Sequence, residues 1–233
     1  MVPVLNEAAS LPSLLDELAG LGLLPVALFV DNGSSDGSAA LIRARGAAVL
    51  HEARLGYGYP CLTGLHAARR AGADVVVFME ADGSDDPADV ARLAGPVLRH
   101  EADLVIGSRR EAVRRAAHMP LHQRIGNALT TVVLRLLFGL RLPDNGPFRA
   151  VRVALLLQLG MEPRAYAWTT EMTVKAHVLG ARIIAMETAY RERRGQSKIA
   201  GTWRGTLGAF GGIFGTMLKL RFAGRGFAAC RPQ

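Results

Sequence analysis

Cysteine is nearly absent from the 233 residues: only Cys61 and Cys230 occur. They are too few and too far apart for a disulfide framework or a zinc site, so the chain suits a reducing compartment. Aromatic residues are scarce as well, at 6%. They do not interleave with basic residues as a single-strand groove requires, so nucleic acid is not an expected partner. Long apolar runs are missing: the longest uncharged candidate, Gly205–Leu218, has 14 residues, short of the roughly 20 that span a bilayer. Met1–Glu7 lacks a basic stretch followed by an apolar one, so no signal peptide is expected. Charged residues are only 21% while half the chain is hydrophobic, which argues against disorder and supplies one large core or two small ones. Acid is the scarcer sign, and the net charge is +8. That surplus suits phosphorylated substrates, an anionic membrane surface or another polyanion.

What acid there is concentrates in one place. Val75–Met79 is a short apolar run rich in β-branched residues, the pattern of a strand buried on both faces. Glu80, Asp82, Asp85 and Asp86 follow at once, with Gly83 and Ser84 as turn formers. Asp86-Pro87 reads as an N-cap with proline at the first helical position. Carboxylates therefore gather at the carboxyl end of a strand, where open α/β sheets bind ligands. A polar turn with capping aspartates would account for Asp86 and Ser84. Glu80 and Asp82 need more, and together can hold a hard divalent cation such as Mg²⁺, which takes one or two carboxylates.

Around that stretch strands alternate with helices. Val2–Leu5 is the tail of a first strand, and Leu11, Leu14, Leu15 and Leu18 follow at helical spacing. Val26–Val30 is a second strand that runs into Asp31–Ser38 and then a helix, an arrangement that presents backbone N–H groups to phosphate. An ordinary capped turn explains that loop equally well. Ala47–Leu50 is a third strand, and Gly56-Tyr57-Gly58 opens a helix. The glycines do not form a dinucleotide fingerprint, and no Walker lysine is present. Asp103–Ile106 is a strand ending in Gly107-Ser108-Arg109-Arg110. Arg124–Phe138 and Thr169–Leu179 are helices, Phe148–Val151 is extended, and Arg182–Tyr190 is a strand. The alternation predicts an α/β fold with a mainly parallel central sheet flanked by helices. His51, His66, His100, His118, His122 and His177 show no ligand spacing.

Several stretches taken together resemble the family 2 glycosyltransferases, and within them the dolichyl- or polyprenyl-phosphate sugar synthases. They are Val2–Glu7, Asp31–Ser38, Gly56-Tyr57-Gly58, Glu80–Gly83, Gly107-Ser108-Arg109, Arg124 with Asn127, Asp144 with Phe148-Arg149, Glu171, and Arg193 through Lys198. They stand in the family's order over roughly residues 1–200. The resemblance implies a GT-A fold over residues 1–202, with a nucleotide-sugar half (1–110) and an acceptor half (111–202). Residues 203–233 would form an amphipathic C-terminal segment. It implies a nucleotide-sugar donor, GDP- or UDP-hexose, and Mg²⁺ or Mn²⁺. Pro3, Asn6, Glu7, Asp31, Asn32, Gly56, Glu80, Ala81, Asp82 and Arg109 would meet the donor. Glu80 and Asp82 match the metal-binding DXD motif. Arg124, Arg149, Arg193 and Lys198 match positions that meet phosphates on the acceptor side. The chain departs from the family pattern at Asn32, where a second aspartate is common, at Glu80, and at the strand that starts on Met1.

An acceptor phosphate is already anionic and needs cations more than a base. A hydroxyl acceptor, soluble or on a protein, would need a carboxylate, and Asp144 or Glu171 is the candidate. Otherwise Glu171 is a surface helix charge paired with Lys175, and Asp144 a turn former. A non-catalytic nucleotide-sugar-binding member of the fold is the further alternative, supported by Asn32 and Glu80. A polyprenyl-phosphate acceptor would place the chain on the cytoplasmic, inner face of a membrane, and association into a homo-oligomer stays open. In Trp203–Phe222 the side chains of Trp203, Leu207, Phe210, Phe214 and Met217 share one helical side, while Arg204, Gly208, Gly212, Gly215 and Lys219 share the other. The expectation is an interfacial helix with its aromatics in the bilayer. The alternative is a C-terminal helix packed on the protein's own core.

Overall fold

The structure is a computed structural model; it describes residues 1–110, 121–162, 167–193 and 211–222. The strands are β1 (Val2–Val4), β2 (Leu28–Asp31), β3 (Ala48–His51), β4 (Val75–Phe78), β5 (Leu104–Ser108), β6 (Arg149–Arg152) and β7 (Ile183–Glu187). The helices are α1 (Leu11–Gly20), α2 (Ser38–Ala44), α3 (Gly58–Arg70), α4 (Val90–Leu98), α5 (Leu121–Phe138), α6 (Val153–Gln158), α7 (Trp168–Val178) and α8, which covers 211–222.

β1, β2 and β3 pair in parallel, and the other strands form the order β4-β6-β5-β7. Met1 joins the two sets: its amino group donates to Val77 O at 2.7 Å and its carbonyl accepts from Met79 N at 3.1 Å. Alternate residues of β1 thus face β4, and the next on that side is Pro3, which has no N–H to give. β6 runs antiparallel to both β4 and β5, while β7 is parallel to β5. That reversal is the one departure from a parallel sheet, and it decides the site. It brings the amino end of β6 beside the carboxyl end of β4, with Arg149 opposite Phe78.

Side-chain alternation sorts the core. Val76, Phe78, Leu104, Ile106 and Val151 face α3, α6 and α7, where Leu65, Leu156, Trp168 and Met172 are buried. Phe29, Val105 and Ala150 face the other side, where Leu11 and Leu15 of α1, Ile42 of α2 and Leu93 of α4 pack. Strands buried on both faces explain the unbroken apolar runs of β4 and β5. Asp86 caps as its sequence suggests: its carboxylate accepts from Ala88 N at 3.0 Å ahead of a short 3₁₀ turn, Pro87–Asp89, that leads into α4.

A third cluster corrects the expectation for the C-terminal segment. Met217 is fully buried with Leu134 of α5 and Val174 of α7, and Ile213 and Phe214 pack against them. Gly212, Gly215 and Lys219 are exposed. In the described part of that segment, then, the side carrying Phe214 and Met217 covers the protein rather than a bilayer. α5 and α7 offer apolar side chains that these residues complete, and such burial needs no lipid. Trp203, Arg204, Leu207, Gly208 and Phe210 lie outside the described residues. No helix among the described residues is long and apolar enough to cross a membrane.

Candidate active site

Six chain segments converge where β1, β2, β4, β5 and β7 end and β6 begins. The loop after β1 is sewn to the loop after β2. Asn6 N donates to Ser34 Oγ at 2.9 Å, and Ser35 N donates to Asn6 Oδ1 at 2.8 Å. Glu7 N donates to Ser38 Oγ at 2.9 Å, and Ala8 N to Asp36 Oδ2 at 2.8 Å. Asn6 holds a left-handed conformation (φ 51°), which asparagine tolerates better than most residues. Asp31 accepts from Ser34 N at 3.2 Å and lies 3.3 Å from Nδ1 of the exposed His51.

Asn32 departs from its expected place. It is buried, its amide donates to Glu52 O at 2.9 Å and Arg54 O at 2.7 Å, and its Oδ1 accepts from Gly56 N at 3.1 Å. The side chain is fully used in fastening the 52–56 loop to the end of β2. An aspartate could not make the two donations, so asparagine has a structural use here.

The acidic stretch forms the centre. Asp82 is buried; its Oδ1 accepts from Ser84 N at 2.9 Å and its Oδ2 lies 2.5 Å from Nε of Arg193. Glu80 Oε1 accepts from the Tyr57 hydroxyl at 2.8 Å, and Glu80 N donates to Asp85 Oδ2 at 3.0 Å. Burial, with Asp82 and Asp85 nearby, pushes the Glu80 carboxyl up to about 8. Burial likewise pushes Asp85 to about 7. Ala81 packs into the core beneath. Tyr57 and Asp85 are partners of the site that sequence reasoning did not single out. Tyr57 stood between the two glycines that opened α3, and Asp85 in the acid run.

Near the end of β5, Gly107 N donates to Phe148 O at 2.8 Å. A Cβ there would lie 2.9 Å from that carbonyl, so only glycine lets β5 and the 148 backbone approach. The next residues present Arg109 to Asp144 in a two-pronged pair, Nε to Oδ2 at 2.9 Å and Nη2 to Oδ1 at 3.0 Å. Asp144 is buried and Arg109 half-buried. Burial opposes the charge of each, but the partner outweighs it: the Asp144 carboxyl is held below its usual range and Arg109 above its own. Beyond β7 the chain returns over the same edge. Thr188 N donates to Ser108 O and Arg191 N to Ser84 O, both at 2.9 Å, and Tyr190 bridges Asp85 and lies against Arg109.

Two expected residues are engaged elsewhere, Arg149 and Glu171. Arg149 is completely buried and donates to Gly146 O, to Thr169 O at 2.9 Å and to Thr173 Oγ1 at 3.2 Å. Burial lowers it to about 10. It ties β6 to α7 and cannot reach a phosphate, which corrects the acceptor role expected of it. Glu171 pairs with Lys175 at 2.6 Å and accepts from Glu162 N at 3.1 Å. The pair is buried, not a surface charge, and one oxygen of Glu171 has no partner among the described residues. Arg124 is exposed in the first turns of α5. Lys198 lies outside the described residues.

No cluster of three or more His, Cys, Asp or Glu side chains among the described residues forms a ready ligand set. The donor set nonetheless fits a hard cation: oxygen ligands, crowded enough that two carboxylates resist ionising, with Asp82 already facing a positive charge. A strand-end carboxylate centre on an α/β sheet, with a polar β2 loop on one side and arginines on the other, is the arrangement of the GT-A glycosyltransferases.

Comparison narrows this further. The profile described as Glycosyl transferase family 2 matches residues 1–160. The chain belongs to that family and is a glycosyltransferase. An uncharacterised glycosyltransferase of Mycobacterium tuberculosis is 35% identical over 208 residues, covering 89% of this chain and 91% of its own. An undecaprenyl-phosphate mannosyltransferase of Micrococcus luteus is 32% identical over 212 residues, covering 86% of each. Among solved structures, glucosyl-3-phosphoglycerate synthase from Mycobacterium tuberculosis, in complex with Mn²⁺, uridine diphosphate and phosphoglyceric acid, superposes with a TM-score of 0.73. It is 23% identical and covers 94% of this chain and 76% of that one.

Proposed function

We propose that this protein transfers a hexose from GDP- or UDP-hexose to a polyprenyl phosphate, with inversion at the anomeric carbon, on the cytoplasmic face of a membrane. One observation carries the choice of acceptor: both carboxylates considered as the base for a hydroxyl acceptor are paired with cations, and such pairing makes a carboxylate a weaker base. Asp144 is locked to Arg109 and Glu171 to Lys175. A phosphate monoester needs no base, because its second pKa is about 6. The named relative that acts on undecaprenyl phosphate points the same way.

Asp82 and Glu80 are the residues that would hold Mg²⁺ or Mn²⁺, which when bound neutralises charge on the departing diphosphate. The chain's own part is binding and positioning. The Asn6–Ala8 and Asp31–Ser38 loops shape the nucleoside side, and Arg193 stands beside Asp82, where phosphate charge gathers. Arg124 and Lys198 are assigned to the acceptor phosphate. Its oxygen attacks the anomeric carbon from the face opposite the diphosphate, and the C–O bond to the donor breaks with its electron pair leaving on the nucleotide. Holding the two in line is the main catalytic contribution.

The test is transfer of labelled hexose from a panel of GDP- and UDP-sugars, with and without Mg²⁺ or Mn²⁺. Acceptors are detergent-dispersed polyprenyl phosphate and, separately, soluble polyols and peptides. Metal-dependent label in the lipid phosphate is expected. Label only in a hydroxyl acceptor would overturn the acceptor, and nucleotide-sugar binding without any transfer would overturn the enzyme reading.

A further inference from the structure

The outward side of α5 is apolar where a helix facing water is ordinarily polar. Ile125, Leu129, Val132 and Leu136 recur at four-three-four spacing and are all exposed, Leu136 to 77%. They form one stripe directly opposite Leu134, which is fully buried in the contact with α7 and α8. α8 continues the pattern: while Met217 turns inward, Leu218 and Phe222 are exposed, Phe222 to 80%. Scattered surface leucines need no explanation, but a continuous row along one helix beside a second such helix does.

Among the described residues of α5 and α8, the charges have a single sign. Arg124 and Arg135 on α5, and Lys219 and Arg221 on α8, are exposed. No Asp or Glu occurs between Glu111 and Asp144, and none follows Glu192. An apolar row on helices whose described charges are arginine and lysine is what an interfacial helix presents to anionic headgroups.

We propose that the outward face of α5, extended by α8, is a docking surface for an anionic lipid bilayer. This replaces the face first expected to enter the membrane, the one carrying Phe214 and Met217. Charge decides between occupants: a second copy would set Arg124 and Arg135 against like charges, whereas anionic lipid complements them. The placement also serves the site. Asn127, on the opposite side of α5 from the stripe, accepts from Asn145 N at 3.3 Å, next to Asp144. The helix that lies on the bilayer is thus the one that touches the catalytic edge, and Arg124 rides on it. In its purpose the inference rests on the polyprenyl-phosphate reading, but its test does not use the acceptor.

The full chain is floated with phosphatidylcholine vesicles and with mixed phosphatidylglycerol–phosphatidylcholine vesicles. It is compared with Leu129→Gln/Val132→Thr/Leu136→Gln and with Arg135→Gln/Lys219→Gln, all checked for native circular dichroism. Binding to the mixed vesicles is expected to weaken roughly tenfold or more in the apolar variant. In the charge variant it should weaken less, and in a salt-dependent way. Equal flotation of wild type and the apolar variant, or none by wild type, overturns the proposal. So does a wild-type dimer in sedimentation that the apolar variant turns into a monomer. A chain that floats through this face but glycosylates no lipid phosphate sustains the docking surface and overturns the acceptor reading. Lipid-phosphate transfer with flotation unchanged in the variants does the reverse.

Discussion

The two corners of the catalytic edge hold their polar groups in opposite ways. At the β1–β2 corner, Asn6, Ser34 and Asp36 bond to backbone N–H groups in loops near solvent, with the buried Ser38 anchoring them at the start of α2. Each is worth about 0.5–1.5 kcal/mol, and the exposed ones are not costly to exchange for water or ligand. At the β5–β6 corner, the half-buried Arg109 and the buried Asp144 form a two-pronged ion pair, and Arg149 is buried on backbone carbonyls. Breaking a buried pair costs about 3–5 kcal/mol, because the orphaned charge has no water to turn to. The first corner is adaptable and suits donor entry and nucleotide release. The second is fixed and suits the wall against which the acceptor is lined up.

The sharpest way to break this contrast is Asp144→Asn, which leaves the half-buried Arg109 charge uncompensated. Stability should fall by about 3–5 kcal/mol in denaturant titration, with transfer falling too. A loss below 1 kcal/mol, judged on the scale of exposed pairs at about 0–1 kcal/mol, would mean that this corner is as soft as the other.

Asp82→Asn belongs between the corners. Transfer should drop by roughly 10²–10³-fold with little change in the thermal midpoint, because Ser84 N still finds an oxygen. Metal-stimulated transfer at the wild-type rate would remove Asp82 from the cation site.

Asn32→Asp probes the adaptable corner at its one rigid point. The two amide donations to the Glu52 and Arg54 carbonyls are lost, and each should cost about 1–3 kcal/mol. Competition between GDP and UDP should stay as in wild type. A changed nucleotide preference at full stability would show that position 32 reaches the base after all.

The smallest effect is expected far from the site. Asp103, at the start of β5, accepts from Arg182 N at 2.9 Å and from its guanidinium, and this holds its carboxyl below the usual value. A lowered folded pKa contributes stability that is present above the unfolded value of about 3.9 and lost as pH falls through the folded one. Asp103→Asn should therefore lower stability at neutral pH by less than about 1 kcal/mol, since Arg182 is half exposed. It should also flatten the acid limb of the stability–pH curve. An unchanged acid limb would mean that the pairing does not persist in solution.

Much of this molecule was legible in order of chain. Strand, polar loop and helix follow one another within a few residues, so β2 with its Asp31–Ser38 loop, β4 with Glu80 and Asp82, and the Asp86 cap could be read locally. Asn32 and Arg149 could not. They were assigned by the kind of group they carry, and both proved to be spent on partners 3 to 24 residues away that pattern does not reveal; for Glu171 the pairing with Lys175 was legible, but not its burial. The C-terminal helix failed similarly: its apolar side was correctly read as apolar, but whether protein or lipid covers it depends on Leu134 and Val174.

Alternating apolar runs, turn residues and a carboxylate cluster thus determine the α/β class, the family and the acidic centre, because those signals act over a few residues. Tertiary structure alone decided the antiparallel entry of β6, which sets Asp144 against Arg109 and buries Arg149. It also decided which side of α5 and α8 is left bare. The reason is physical in both cases: a charged or apolar side chain declares what it needs, but only the packed chain shows whether a neighbour has already supplied it.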